Sequence, residues 1–184
     1  IFMQQAENVE GNASGCYNDM DMLIVGMHGN GNVGIGGCTD EQYLQHFAMW
    51  SFLGSPLIIG SDIRNIDEVN KATLLNKGLI AINQDSANCP AFLIGKDEGK
   101  KYTFGKILSG NRVALAFFNV DAKDDWSQNM SISFDDLGIH SESGIGLRLT
   151  DAVTGEDYGV FRDGYSTKLA VDGCRILVGE LVNG

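Results

Sequence analysis

Two aspartates separated by one residue, Asp19 and Asp21, precede an apolar run in the first part of the chain. In an extended chain, side chains two positions apart point to the same side, so both carboxylates are predicted to lie together at a strand end. Carboxylates clustered there can bind sugar hydroxyls or shift the pKa of a neighbouring group. The same residue types also form turns, and a purely structural turn is the alternative.

A second motif is the glycine pattern formed by Gly29, Gly31 and Gly34, which lies after a predicted strand and before a predicted helix. That context is typical of a dinucleotide-binding loop. However, Thr39 is the predicted N-cap, so the helix begins well after Gly34 and its first N–H groups would not reach a pyrophosphate beside these glycines. The pattern favours a glycine-rich loop on a functional rim, with nucleotide binding as the weaker interpretation.

The cysteines and histidines show no spacing typical of metal ligands, and we predict no metal site. Free thiols are expected in a chain of this length, with a Cys16–Cys38 disulfide as the alternative. The residues concerned are Cys16, Cys38, Cys89, Cys174, His28, His46 and His140.

Charge disfavours two classes of partner. The net charge is −11, from 24 acidic and 13 basic side chains, so neither nucleic acid nor an anionic membrane surface is expected to bind. The longest apolar stretch, 47–59, is interrupted by Gly54-Ser55-Pro56 and is shorter than the roughly 20 residues of a membrane span. No basic run followed by a short apolar stretch opens the sequence, so any signal peptide has been removed or lies outside these residues. Both a cytoplasmic and a secreted location stay open.

Residues 1–86 alternate between short apolar runs and helical patterns. The runs at 21–26 and 56–60 are typical of strands buried on both faces of a parallel sheet. A helix between them begins with a capping box of Thr39 and Gln42. Such a segment is too small to close on itself, so we interpret it as a slice of a larger α/β barrel whose other strands lie upstream.

A second helix is predicted after the run at 56–60. It begins at Asp67 as N-cap and ends in a basic turn at Lys77, with Gly78 as the C′ residue. A short extended segment is predicted at 80–83.

Residues 87–184 change to an alternating, turn-rich pattern. About seven short strands are predicted, including a hairpin around Ser109-Gly110-Asn111. Strands at this spacing without a helical period indicate an antiparallel β-sandwich. The predicted domains are therefore 1–86, part of a barrel, and 87–184, a sandwich.

Four blocks resemble, in order and spacing, glycoside hydrolase family 27, which comprises α-galactosidases and α-N-acetylgalactosaminidases. The blocks are Asn18-Asp19-x-Asp21-Met22-Leu23, Phe47-Ala48-x-Trp50, Gly54-Ser55-Pro56-Leu57-Ile58-Ile59-Gly60-Ser61-Asp62-Ile63-Arg64 and Ala81-Ile82-Asn83-Gln84-Asp85. The stretch from Gly110 to Asn119 resembles the hairpin of the family's sandwich. The likeness thus covers nearly the whole chain.

The resemblance implies the C-terminal slice of a (β/α)₈ TIM barrel followed by an antiparallel β-sandwich, with 21–26 and 56–60 as barrel strands seven and eight.

The resemblance also implies site residues. Asp21 and Met22 would line the sugar pocket, with Tyr17 at its edge. Tyr17 stands where the family usually has tryptophan and Met20 where it has proline, so that edge is expected to be reshaped. Supporting roles fall to Asn18 and Asp19, which hold the turn, and to Asp62 and Arg64, an ion pair on the rim.

The resemblance also implies an activity. Family members release terminal α-linked galactose with retention, using one aspartate as nucleophile and another as general acid/base. Both belong to earlier strands, so we expect neither catalytic aspartate here, no activity in this chain alone, and no cofactor. The missing N-terminal barrel segment is the expected partner, and without it the exposed apolar edge should promote aggregation.

Several points stay open in this interpretation. Galactose, N-acetylgalactosamine or arabinopyranose could be the preferred sugar, and the oligomeric state is not defined. A bacterial source is expected. The alternative function is a non-catalytic carbohydrate-binding sandwich that would use the aromatic residues Tyr102, Phe104 and Tyr165, and nucleotide binding through the glycine loop is weaker.

Overall fold

The computed structural model of the protein describes residues 1–13, 15–30, 36–97, 100–120 and 127–183. Over these residues the first half is helical, with α1 (Phe2–Ala6), α2 (Asp40–Leu53), α3 (Glu68–Leu74) and α4 (Lys77–Asn83). The second half consists of β1 (Ala91–Asp97), β2 (Lys101–Leu108), β3 (Arg112–Asn119), β4 (Gln128–Ser133), β5 (Ile145–Asp151), β6 (Asp157–Phe161), β7 (Gly164–Leu169) and β8 (Cys174–Asn183). Short 3-10 turns lie at Val9–Gly11, Phe134–Leu137 and Ser141–Ser143.

Helix α2 begins and ends at strong local signals. The Gln42 N–H donates to Thr39 Oγ1 at 3.2 Å, and the Thr39 N–H donates to Gln42 Oε1 at 3.0 Å, which confirms the predicted capping box. The helix ends at Gly54, whose φ of +76° is readily adopted by glycine.

The second predicted helix is two helices in the structure. Its start is confirmed, because the Asn70 N–H donates to the Asp67 side chain at 2.9 Å. The predicted end is wrong: α3 stops at Leu74, and α4 starts immediately after Asn76, which caps it by accepting from the Leu79 N–H at 3.0 Å. The extended segment predicted at 80–83 is accordingly helical.

Gly78 misled the prediction because its function is packing. It lies inside α4, where a Cβ atom would come within 1.9 Å of the Ala152 carbonyl oxygen. Glycine therefore lets α4 approach the sandwich closely, and its presence does not mark a helix end.

The two predicted barrel strands are adjacent and parallel, but their pairing is short. The Leu23 N–H donates to the Ile58 carbonyl at 2.7 Å, and the Gly60 N–H donates to the Leu23 carbonyl at 2.8 Å, which forms one parallel bridge between Leu23 and Ile59. Positive φ angles at Asp21 and Gly26 interrupt the extended backbone on either side of Leu23. The described residues therefore retain a slice of a parallel sheet and not two full strands.

The sandwich consists of a six-stranded antiparallel sheet in the order β1-β2-β3-β8-β5-β6 and a two-stranded sheet of β4 and β7. These eight strands, counted within the described ranges, compare with about seven predicted. The hairpin predicted around residues 109–111 joins β2 to β3, where Leu108 pairs with Arg112. Gly110 and Asn111 both have positive φ, which suits this tight connection.

Strand β3 contributes to two cores because both of its faces are covered. Ala114, Ala116 and Phe118 pack toward the helices, whereas Leu115 and Phe117 pack toward the small sheet. Other large members of the helix-side core are Phe47, Phe52, Tyr102 and Phe104, and the core between the sheets includes Ile132, Phe134, Leu147 and Leu177. The fold thus has three layers, and one core extends from the helices into the large sheet. The division at residue 86 stays a prediction.

All four cysteines are free, so the alternative Cys16–Cys38 disulfide is not formed. Within the part of the chain that the structure describes, no helix combines the length and apolar character needed to cross a membrane.

Candidate functional site

One face of α2 holds the backbone of residues 21–28. Trp50 Nε1 donates to the Asp21 carbonyl at 2.8 Å. The Ile24 N–H donates to His46 Nε2 at 3.2 Å, and the His28 N–H donates to the Tyr43 hydroxyl at 2.7 Å. Three aromatic side chains on one helical face therefore replace part of the sheet pairing that this segment lacks.

Asp21 adopts a left-handed backbone conformation, with φ of +74°. Its N–H donates to Asp19 Oδ1 at 2.9 Å, and its own carboxylate accepts from the Met22 N–H at 2.7 Å. The extended conformation that the Asp19-x-Asp21 spacing predicted is therefore wrong, because the chain turns at Asp21. Both residues remain exposed, each with one carboxylate oxygen occupied by a local amide.

Met22 and Tyr17 are exposed by 52% and 50%, but they face different surroundings. Met22 packs against Gly60, where a Cβ atom would lie 3.1 Å from the Met22 Cβ. The neighbouring Ile58 and Ile59 are also largely exposed, so several apolar side chains beside the parallel bridge are open to solvent.

Tyr17 lines a separate open cleft of about 460 Å³ with Gly54, Ser55, Pro56, Asn83, Gln84, Asp85, Ser86 and Asn88. Among the described residues, that lining includes neither Asp21 nor Met22. The structure thus places Asp21 and Met22 together, and Tyr17 in a cleft that neither of them lines.

The turn before Asp21 is held by two buried polar residues. Asn12 Oδ1 accepts from the Asn18 N–H at 2.5 Å, and Asn12 Nδ2 donates to the Leu53 carbonyl at 2.5 Å. The Met20 N–H donates to Ser55 Oγ at 3.0 Å. The Asn18 side chain adds a bond to the Asn8 carbonyl at 2.7 Å.

Asp62 and Arg64 form the predicted ion pair. Arg64 Nε and Nη2 donate to the two carboxylate oxygens, both at 2.8 Å. The hydrogen bond from the Arg64 side chain lowers the pKa of Asp62 and raises that of Arg64. Because both side chains are well exposed, the pair fixes the local loop and adds little to stability.

Two models of known families match the chain in succession. The one described as "Alpha galactosidase A" matches residues 1–85, and the one described as "Alpha galactosidase C-terminal beta sandwich domain" matches residues 98–178. The fold is shared with a β-L-arabinopyranosidase of glycoside hydrolase family 27 from Geobacillus stearothermophilus, with a TM-score of 0.82 at 19% identity over 97% of this chain and 40% of that one. This chain belongs to glycoside hydrolase family 27.

Curated relatives of this family 27 chain come from plants, fungi and bacteria. Alpha-galactosidase 2 of Arabidopsis thaliana is 34% identical over 134 residues, covering 73% of this chain and 31% of that protein. Alpha-galactosidase A of Cellvibrio japonicus is 38% identical over 118 residues, covering 61% and 27%. Such a range of organisms does not support the expected bacterial source.

A crystal structure of alpha-galactosidase I from Mortierella vinacea matches 97% of this family 27 chain and 44% of its own, with a TM-score of 0.79 and 28% identity. The chain spans less than a third of the length of these two curated relatives.

The described residues beside the glycine loop of this family 27 chain offer little to a nucleotide. Gly31 and Gly34 lie outside the described residues. Gly29 has a φ of +77°, and its backbone lies close to that of Gly37. The first turn of α2 carries Asp40 and Glu41, whose charges oppose phosphate binding at the helix N-terminus.

One described group of side chains could hold a metal ion, although we predicted no metal. The ligand atoms of His28, Asp40 and Asp67 lie within 4.8 Å of one another, and all three residues are exposed. In this structure hydrogen bonds connect them: His28 Nε2 lies 2.8 Å from Asp67 Oδ2, and Asn70 Nδ2 donates to both carboxylates. The absence of a metal stays a prediction.

A half-buried histidine and a buried lysine hold α2 in place. Burial lowers the pKa of His46 to about 4, which keeps its ring neutral and able to accept from Ile24 at ordinary pH. Burial also lowers the pKa of Lys106 to about 8; its Nζ donates to the Phe52 carbonyl at 3.2 Å. Lys106 therefore connects the large sheet to the C-terminal turn of α2.

Sequence reasoning missed Asn12, Trp50 and Ser55, which position the turn at Asp21. It also missed Tyr43 and His46, which hold the backbone of residues 24–28 beyond that turn. Trp50 and Ser55 belong to the blocks that resemble the family, but no positioning role was predicted for any of the five. Their polar atoms act on backbone groups far along the chain, which no local motif records.

Proposed function

We propose that this chain is part of an α-galactosidase that removes terminal α-linked galactose from galactosides with retention of configuration. The observation that carries this proposal is the match to two α-galactosidase family models in chain order, over nearly the whole sequence. Relatives at 34% and 38% identity that are named α-galactosidases support the same substrate class.

In this proposal Asp21 and Met22 form one wall of the galactose pocket. Two features support these roles: both side chains are exposed on a turn whose backbone is fixed, and Met22 offers an apolar surface of the kind that packs against a sugar ring. Asn18 and Asp19 support the turn, and Asp62 with Arg64 orders the loop after the parallel bridge. We place Tyr17 at the pocket edge, where the adjoining barrel segment would join its cleft to the surface around Asp21 and Met22.

We further propose that the nucleophile and the general acid/base lie outside these 184 residues. Retaining glycosidases place two carboxyl groups about 5–5.5 Å apart around the glycosidic bond. Asp19 and Asp21 are poor substitutes, because each already accepts a bond from a neighbouring backbone N–H. The reaction would need only carboxylates and water, so no cofactor enters the proposal.

The missing barrel segment is the proposed partner of this chain. Its strands would cover the exposed apolar side chains beside the parallel bridge, namely Met22, Ile58 and Ile59. Without that cover the chain alone should aggregate and should lack activity.

The test compares the 184-residue chain with the full-length protein, meaning this chain together with the segment that we propose to precede it. We expect the full-length protein to release 4-nitrophenol from 4-nitrophenyl α-galactoside and the chain alone to release none. Parallel assays with the α-N-acetylgalactosaminide and the β-L-arabinopyranoside define the preferred sugar. An active chain, or a full-length protein without activity on any of the three glycosides, would contradict the proposal.

A carbohydrate-binding sandwich receives no comparable support. Tyr102 and Phe104, two of the three aromatics that could present a binding surface, are buried in the core, and Tyr165 packs against Phe161 with ring centroids 5.3 Å apart. Tyr102 and Phe104 therefore fill the interior, and the half-buried Tyr165 packs against the core between the sheets, so the three rings do not form an exposed platform.

A further inference from the structure

The turn at Asp21 is fixed by three hydrogen bonds of two kinds. Two are local: the Asp21 N–H donates to Asp19, and the Asp21 carboxylate accepts from the Met22 N–H. The third joins the turn to another element, because Trp50 Nε1 on α2 donates to the Asp21 carbonyl at 2.8 Å. The two local bonds lie within the turn and would move with it. The bond from Trp50 fixes the position of the turn relative to α2.

Asp21 has a left-handed backbone, which gives the hydrogen bond from Trp50 to its carbonyl a possible functional meaning. A residue other than glycine seldom keeps a φ of +74°, and such strain persists where the surroundings over-determine it. Strained residues of this kind concentrate at functional sites. A fixed carbonyl at Asp21 holds the backbone from which the Asp21 carboxylate and the Met22 side chain project.

Trp50 is well placed to act as a rigid donor. It is buried, and its ring packs on that of His46 with centroids 3.9 Å apart. Helix α2 is itself attached to the sandwich, since Gln45 Nε2 donates to the carbonyls of Asn119 and Gly173 at 2.8 and 3.1 Å. The position of the indole N–H is therefore defined by the folded core and not by the turn.

We infer that Trp50 is a positioning residue for galactoside binding, acting through the Asp21 carbonyl to orient Asp21 and Met22 toward the sugar. The inference rests on the proposed function, and it assigns to α2 a task beyond filling the core. Because the contact orients groups that meet the bound sugar, its loss should weaken substrate binding more than it slows the chemical step.

The experiment uses Trp50→Phe in the full-length protein, which keeps an aromatic ring and removes the N–H donor. We expect the KM for 4-nitrophenyl α-galactoside to rise about tenfold while kcat changes less than about twofold. The matched control is Tyr43→Phe on the same helix face, which removes the hydroxyl that accepts from His28 at the far end of the segment. Its KM should stay within about twofold of the unsubstituted protein.

A second measurement needs no substitution. Saturation with galactose should slow hydrogen exchange of the Trp50 indole N–H, followed by NMR, because the bound sugar stabilises the turn that accepts from it. An unchanged exchange rate would overturn the inference, even if the Phe variant failed to fold.

The outcomes separate the two proposals. If the unsubstituted full-length protein is inactive on every glycoside, the proposed function fails and this inference fails with it. If that protein is active but the two variants raise KM equally, or Trp50→Phe lowers only the melting temperature, Trp50 is merely structural and this inference alone is wrong.

Discussion

The helical part and the sandwich hold their backbones in different ways. In the sandwich, strand pairs β2–β3, β3–β8 and β5–β8 satisfy their N–H and carbonyl groups in continuous antiparallel ladders. In the segment 18–28, side chains of Asn12, Ser55, Trp50, His46 and Tyr43 bond the backbone directly. The backbone of the sandwich is therefore held by the register of its strands, whereas the backbone of residues 18–28 is held by particular side chains.

This difference explains why the proposed site lies in the helical part. A ladder tolerates many side chains provided that their apolar alternation is kept. A segment that is held by individual side chains can adopt irregular angles, such as that of Asp21, and can direct selected groups outward. It is also more sensitive to single changes and to pH.

The largest expected effect comes from breaking the sandwich core. Phe117→Ala in the full-length protein should reduce the free energy of unfolding by about 3–5 kcal/mol, because a fully buried ring between the two sheets is replaced by a cavity. Val160→Ala on the exposed side of β6 is the control and should change it by less than about 0.5 kcal/mol. Urea unfolding measures both, and equal losses would show that the core between the sheets is not as close-packed as described.

Acid should weaken the helical part through His46. Its pKa is about 4 in the folded protein, against an ordinary value of 6.5, so between these values the unfolded chain binds a proton that the folded chain does not. Stability should therefore fall as pH drops from 6.5 toward 4, by up to about 3 kcal/mol. His46→Gln, which cannot titrate, should show a shallower decline in melting temperature over that window. If the melting temperatures of the unsubstituted protein and His46→Gln fell equally between pH 6.5 and 4, titration of His46 would not explain the loss of stability.

The junction between the regions should be disturbed by one added methyl group. Gly78→Ala should reduce stability by about 1–3 kcal/mol, because α4 must move away from the Ala152 carbonyl. Gly95→Ala on β1 is the matched control, since a Cβ there meets nothing within 4 Å and its φ is not positive. A comparable loss in both variants, measured by thermal unfolding, would point to a general effect of substituting glycine.

The smallest expected effect is at the start of α2. Thr39→Ala removes the side chain that accepts from the Gln42 N–H and should reduce stability by about 1 kcal/mol. Thr73→Ala inside α3 serves as control, because threonine there occupies a helical position that alanine favours. Thermal unfolding of the two variants side by side would contradict the assignment if Thr39→Ala proved neutral.

Local signals in the sequence predicted the fold well. The capping box at Thr39, the N-cap at Asp67 and the hairpin at 109–111 each depend on residues within a few positions of one another. Gly78 was misinterpreted because the contact that requires glycine comes from Ala152, far along the chain. A residue type alone does not distinguish a helix end from a close approach.

Local sequence signals did not predict the geometry of the candidate site. The turn at Asp21 depends on Trp50, and the turn before it depends on Asn12 and Ser55, so its geometry is decided by long-range contacts. The prediction that Asp19 and Asp21 point to the same side assumes an extended chain. The left-handed backbone at Asp21 breaks that assumption. The family resemblance supplied Asp21 and Met22 as candidates, but only the structure shows how their backbone is held.

The two-sided burial of β3 bears on whether the C-terminal region could be grafted elsewhere. Excising it near residue 87 would uncover the rings of Tyr102, Phe104 and Phe118, which now face Phe2 and the helices. A fusion protein carrying the sandwich alone would present an aromatic sheet face to water. Moving the sandwich to another protein would therefore require polar substitutions on that face. The sandwich is one half of a larger folded unit and not an independent domain.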